Sequence, residues 1–147
     1  MKGPTALQVS VSALMVGEFG QDRLLMHDVF RGLGWRLFEA PDRRRAVQCL
    51  GRNPVQVVLA GDDIPNWNWK KILHDLRALP TPPQLIVVSR TADDYLWAEV
   101  LNCGAYDVLP RPLERDEVER VISAARRHFN VEPARATRPA AAAAGAA

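Results

Sequence analysis

The chain has 147 residues, 48% of them apolar and 24% charged, which fits one soluble domain with a tail and a buried core. Its formal charge of +2 is too small to argue for nucleic-acid binding by itself. Cys49 and Cys103 show no CxxC or Cys/His spacing, so reduced core thiols are expected rather than a disulfide framework or a zinc site. No apolar run reaches transmembrane length, and the N-terminus lacks the plan of a signal peptide, so a cytoplasmic location without membrane contact is expected.

Residues 1–6 read as a lead-in, and Leu7–Val16 (LQVSVSALMV) as a first strand ending at Gly17-Glu18. Gln21–Gly34 places Leu24, Leu25, Met26, Val29, Phe30 and Leu33 at helical spacing, with Gly32 and Gly34 as stops. A short strand, Trp35–Glu39, leads to a helix with Pro41 at its first position and Ala46, Val47 and Leu50 as its apolar stripe. Val55–Ala60 is a β-branched run suited to a strand buried on both faces. Gly61, Asp62 and Asp63 break it, Ile64-Pro65 turns, and Asn66 or Asn68 can cap a helix over Trp67–Leu79. Leu85–Val88 is a second buried strand, followed by a helix over Ala92–Asn102 with Asp93 and Asp94 near its positive end. Tyr106–Leu109 is a fifth strand, and Glu114–Phe129 a final amphipathic helix. From Asn130 to Ala147 the chain is Pro/Arg/Ala-rich and reads as a flexible tail. Five strands alternating with five helices imply an α/β fold: a doubly wound parallel sheet in a three-layer, flavodoxin-like sandwich.

In such sheets ligands sit at the C-terminal strand ends, and it is there that a resemblance emerges. The strand ending LMVGEF, the turn AGDDIP, the strand ending IVVS and the block GAYDVLPRP resemble the receiver domain of two-component response regulators, over Ala13 to Phe129. The domain boundary is set at residues 7–129. The resemblance implies a phosphoryl-accepting aspartate at the end of the third strand, acidic residues after the first strand holding Mg²⁺, and a hydroxyl and a lysine against the phosphoryl oxygens. A carboxylate attacking a dianionic donor needs such charge compensation.

Residue by residue, the match is incomplete. The acceptor position, four before Pro65, is Gly61, and the acidic pair after the first strand is Gly17 and Glu18. Ser89 keeps the hydroxyl position, Arg90 follows where a small residue is usual, and Arg111 replaces the lysine. The aromatic switch position falls on Val108. The fold signal survives while the carboxylates are missing where they matter most, so the chain resembles a degenerate receiver.

The resulting expectation is a non-enzymatic signalling module of a two-component phosphorelay that acts by protein–protein contact, with no cofactor and no metal. Its implied partners are a histidine kinase, another response regulator or a second copy of itself. Tyr95, Trp97, Tyr106, Trp67 and Trp69 are candidate interface residues. Trp67 and Trp69, two apart, cannot both face the core of one helix, so one is expected to be exposed as an anchor or a lid. Glu18, Ser89 and Arg111 should converge, with Arg111 pairing with the Glu18 carboxylate to fix one conformation. Two alternatives stand beside this. In the first, Asp62 or Asp63 is phosphorylated with Mg²⁺ held by Glu18, Asp62 and Asp63. In the second, the strand-end crevice or the arginine surfaces (Arg43–Arg45 with Arg36 and Arg52, and Arg126, Arg127, Arg135 and Arg138) bind a small anion or nucleic acid. The sequence shows no helix-turn-helix or further domain, so output is expected through another molecule.

Overall fold

The computed structural model describes residues 11–135. Residues 1–6, the start of the expected first strand and residues 136–147 of the expected tail lie outside the described residues. Five parallel strands in the order β2-β1-β3-β4-β5 are β1 (Ser12–Val16), β2 (Arg36–Ala40), β3 (Val57–Ala60), β4 (Gln84–Ser89) and β5 (Asp107–Pro110). They alternate with α1 (Asp22–Leu33), α2 (Arg43–Arg52), α3 (Trp69–Arg77), α4 (Asp94–Cys103) and α5 (Arg115–Arg135). This is the doubly wound sheet the alternating pattern implies.

Side-chain alternation along the strands sorts the core into two layers. Leu14, Val16, Val58, Ala60 and Val87 face Ala46, Ile72, Leu76 and Val100 of α2, α3 and α4. Ala13, Met15, Val57, Leu59 and Ile86 face Met26, Val29 and Phe30 of α1 and Val118, Ile122 and Ala125 of α5. Strand β3 is buried along its whole length, as its unbroken apolar run requires.

The helix boundaries show which local signals act. Asp42, not Pro41, starts α2: its carboxylate accepts the Arg45 N–H at 3.0 Å, leaving Pro41 outside the helix. Asn68 caps α3 through the Lys71 N–H at 2.9 Å, so the helix begins at Trp69 and Asn66 lies in the preceding turn with φ +57°. Asp93 caps α4 through Leu96. Gly34 ends α1 in the left-handed conformation glycine favours.

Some expected core residues are not core. Leu24 on α1 and Val47 on α2 are exposed, because the buried faces of these helices run through Met26, Val29 and Phe30 and through Ala46 and Leu50. Both cysteines are half-buried, free, and packed against the α2–α3–α4 layer. Burial raises the Cys49 thiol above its ordinary pKa. Helix α5 continues past Phe129 to Arg135, into the start of the expected tail.

Candidate functional site

The C-terminal ends of β1, β3, β4 and β5 bring Gly17, Gly61, Ser89 and Arg111 to one edge of the sheet. The Gly17 N–H donates to the Ala40 carbonyl at 2.9 Å, and the Gly61 N–H to the Val16 carbonyl at 3.0 Å. The Arg111 N–H donates to the Ser89 carbonyl at 2.9 Å. These backbone bonds fix the rim of the crevice.

A carboxylate fills the space that the two glycines leave. A Cβ at Gly17 would lie 3.1 Å from Asp63 Oδ1, and a Cβ at Gly61 would also lie 3.1 Å from it. Gly17 adopts φ +104°, which an L side chain rarely takes. Arg111 Nη2 would lie 3.3 Å from the same Cβ at Gly61. Gly61 is therefore bracketed by a carboxylate and a guanidinium that belong to other positions.

Asp62 turns the other way. Ser89 Oγ donates to Asp62 Oδ2 at 2.7 Å, and the Thr91 N–H donates to Ser89 Oγ at 3.0 Å. Ser89 Oγ and Thr91 Oγ1 are 3.1 Å apart. Since the single Ser89 proton points to Asp62, Thr91 Oγ1 is the donor in that contact, and the buried serine hydroxyl has all its capacity in use. Asp62 itself stays exposed.

Arg111 does not meet the Glu18 carboxylate. Its Nη2 donates to the Glu18 main-chain carbonyl at 3.1 Å, while the guanidinium stands 4.6 Å over the Phe19 ring. The Glu18 side chain is exposed and forms no ion pair among the described residues. This corrects the expected side-chain pairing: Phe19 is buried and draws the guanidinium plane over itself, which leaves the carbonyl in reach and the carboxylate in solvent. Arg111 Nε is buried without a hydrogen-bond partner among the described residues. Arg90 is exposed beside Ser89.

The Mg²⁺ that the resemblance implies does not fit this donor set. Gly17 and Gly61 offer no side-chain oxygen, Glu18 is exposed and Asp62 accepts from Ser89, which leaves Asp63 as the one uncommitted carboxylate beside the two glycines. Among the described residues no group of three or more His, Cys, Asp or Glu could hold a metal ion.

The aromatic candidates separate. Trp67 is buried, with Nε1 donating to Asp75 Oδ2 at 2.8 Å, so it is neither an exposed anchor nor a lid. The reason is that Asp75, nearly two turns into α3 and half-buried, gives the indole N–H a partner. Trp69 is half-buried against the same layer, with Lys70 Nζ 5.6 Å from its ring centroid. Tyr106 is half-buried, its hydroxyl 2.9 Å from His128 Nδ1. Tyr95 is 78% and Trp97 48% exposed on α4, and Trp97 Nε1 donates to Asp107 Oδ1 at 3.0 Å. Val108, at the switch position, is buried. Sequence reading passed over Thr91, Phe19 and Asp75. Only Thr91, two residues after Ser89, carried a local signal.

The sheet order, the five-helix arrangement and the strand-end crevice define a receiver fold. No family model matches the chain. The signal receiver domain of an HD domain-containing protein from Pseudomonas fluorescens Pf-5 superposes with a TM-score of 0.71 at 22% identity, covering 84% of this chain and 100% of that one. Among curated proteins, the chain is 28% identical over 117 residues to transcriptional regulatory protein MalR of Bacillus subtilis (strain 168), covering 80% of this chain and 48% of MalR. It is 25% identical over 112 residues to regulatory protein AtoC of Escherichia coli (strain K12), covering 76% of this chain and 24% of AtoC. The chain thus spans about a quarter to a half of the length of these relatives. No helix among the described residues is long and apolar enough to cross a membrane.

Proposed function

We propose that the chain is a receiver-like module of a two-component phosphorelay that acts by binding other proteins, without being phosphorylated and without Mg²⁺ or another cofactor. One observation carries this reading: the Asp63 carboxylate lies in the gap between Gly17 and Gly61, where a phosphoryl group and its cation would have to sit. A second negative group entering there would meet the exposed Asp63 carboxylate at close range, and like charges repel. The Ser89 hydroxyl, which would otherwise meet a phosphoryl oxygen, already donates to Asp62. In this reading the strand-end groups are engaged with one another, which supports a module that does not need phosphorylation.

Output in this reading passes through the face made by α4, β5 and α5. Tyr95 and Trp97 stand exposed there, and the hydrogen bond to Asp107 keeps the Trp97 ring in place. A histidine kinase, another response regulator or a second copy of the chain are the partners to look for, in the cytoplasm.

The competing reading, a receiver phosphorylated on Asp62 or Asp63, draws on Asp62 already reaching the serine hydroxyl. The deciding experiment is intact-mass analysis after incubation with Mg²⁺ and a small acyl phosphate, beside an ordinary receiver as positive control. The expected result is an unmodified chain while the control gains a phosphoryl group. A phosphoryl-sized increase that disappears in Asp62→Asn or Asp63→Asn would replace the proposal with a phosphorylatable switch.

A further inference from the structure

We infer that the open groove between the N-terminal end of α2 and the length of α3 docks an acidic peptide segment of a partner protein. The inference rests on the reading of the chain as an interaction module and assigns a partner chemistry to a groove whose lining includes neither Tyr95 nor Trp97. The groove, about 550 Å³, is lined by Arg43 from α2, Asn66 and Trp67 from the turn, and Lys71, His74 and Asp75 from α3.

Its floor is built and its cations are not all in use. Asp75 Oδ2 accepts both the Trp67 indole N–H at 2.8 Å and Arg43 Nε at 3.2 Å. The Arg43 guanidinium also stands 5.9 Å over the Trp67 ring. Arg43 is therefore held by one edge, while its two terminal nitrogens have no partner among the described residues. A planar fork fixed in this way loses little freedom on gripping a carboxylate with two parallel bonds. Lys71 is exposed and makes no ion pair among the described residues, and His74 follows it by three residues on the same helical face. Lys70, by contrast, is occupied by Glu99 at 2.6 Å. Asp75 is the one acid lining the groove, and it is already shared by Arg43 and Trp67. Beyond the rim, Arg44 and Arg45 extend the positive field along α2, exposed and without ion pairs among the described residues.

Charge and shape select the occupant. A few free cations match a short run of carboxylates, whereas duplex nucleic acid is usually held through about six to ten phosphate contacts. A small ligand is normally enclosed over most of its surface, and this groove is open along its length. Trp67 is too buried to stack on a base or ring.

The test is a titration of ¹⁵N-labelled full chain with hexaglutamate at low salt, with hexalysine and a short DNA duplex as comparisons. Amide shifts should be confined to residues 43–46 and 66–75. Lys71→Glu, a surface change, should weaken binding by about tenfold or more, and Arg43→Gln should do the same. Shifts centred on α4 would overturn the groove and leave the module reading standing. Tighter binding of the duplex, absence of shifts at millimolar peptide, or groove shifts that appear on concentrating the chain alone would also overturn it. A phosphoryl adduct in the mass experiment would instead remove the module reading and leave this shift map unchanged.

Discussion

Gly17 and Gly61 matter for what their missing side chains admit. Any side chain at position 17 must adopt φ +104° and bring its Cβ to 3.1 Å from both Asp63 Oδ1 and Ile64 Cγ1. Gly17→Ala is therefore expected to destabilise the fold by roughly 1–3 kcal/mol, read as a lowered urea midpoint with an unchanged slope. A neutral or stabilising result would mean that Asp63 is not fixed in the gap. Gly61 does not have a positive φ, so Gly61→Ala meets only the close Asp63 and Arg111 groups and should cost less. Counting from Pro65 was enough to place Gly61 just past the third strand, and β3 does end at Ala60. What counting could not supply is the direction of the next two carboxylates. Asp62 reaches Ser89 and Asp63 lies beside Gly17 and Gly61, partners that depend on the torsions of a turn beyond the end of β3. The same holds for Arg111, whose partner turned out to be a carbonyl and an aromatic ring instead of the nearest acid in the expected set.

Among the elements, periodicity located every strand and helix, while side-chain caps decided where α2, α3 and α4 begin. Asp42 and Asn68 shift α2 and α3 from the starts that Pro41 and Trp67 suggested, because a side-chain acceptor for a free N–H outweighs a residue merely compatible with the first turn. The Trp67 error has the same origin: once Asn68 is the cap, Trp67 precedes the helix and the two-apart argument no longer applies to it. Edge strand β2 shows a tie between elements that no pattern reveals. Glu39 accepts Arg23 Nε at 2.7 Å and Nη2 at 2.9 Å, and lies 2.7 Å from His27 Nε2, joining β2 to α1. The Arg23 hydrogen bonds hold the Glu39 carboxyl below the usual range, against partial burial, with His27 adding to the effect. A carboxyl with a lowered folded-state pKa stabilises fully above its unfolded value, about 4.3, and loses that contribution as pH falls through the folded value. Wild type should therefore exceed Glu39→Gln in stability at neutral pH, and the two should converge in acid. Urea denaturation at a series of pH values checks this. A gap that widens as pH falls would refute it.

At the scale of the whole molecule, two packed layers hold four strand ends in register, and Asp62, Asp63, Ser89 and Arg111 gather at those ends. The α/β class and strand order were legible because alternation of buried strands and amphipathic helices leaves few topologies. The self-occupied crevice and the α2–α3 groove were not, since both depend on side chains brought together from distant segments. The central claim is that this crevice does not respond to a phosphoryl group. The most direct measurement is an amide ¹H–¹⁵N spectrum of the chain with and without Mg²⁺ and beryllofluoride, a stable mimic of an aspartyl phosphate. The account predicts superimposable resonances for residues 17–19, 61–63, 89–91 and 111. A second set of peaks at those positions, growing with beryllofluoride and spreading to α4 and β5, would show a working switch and contradict it.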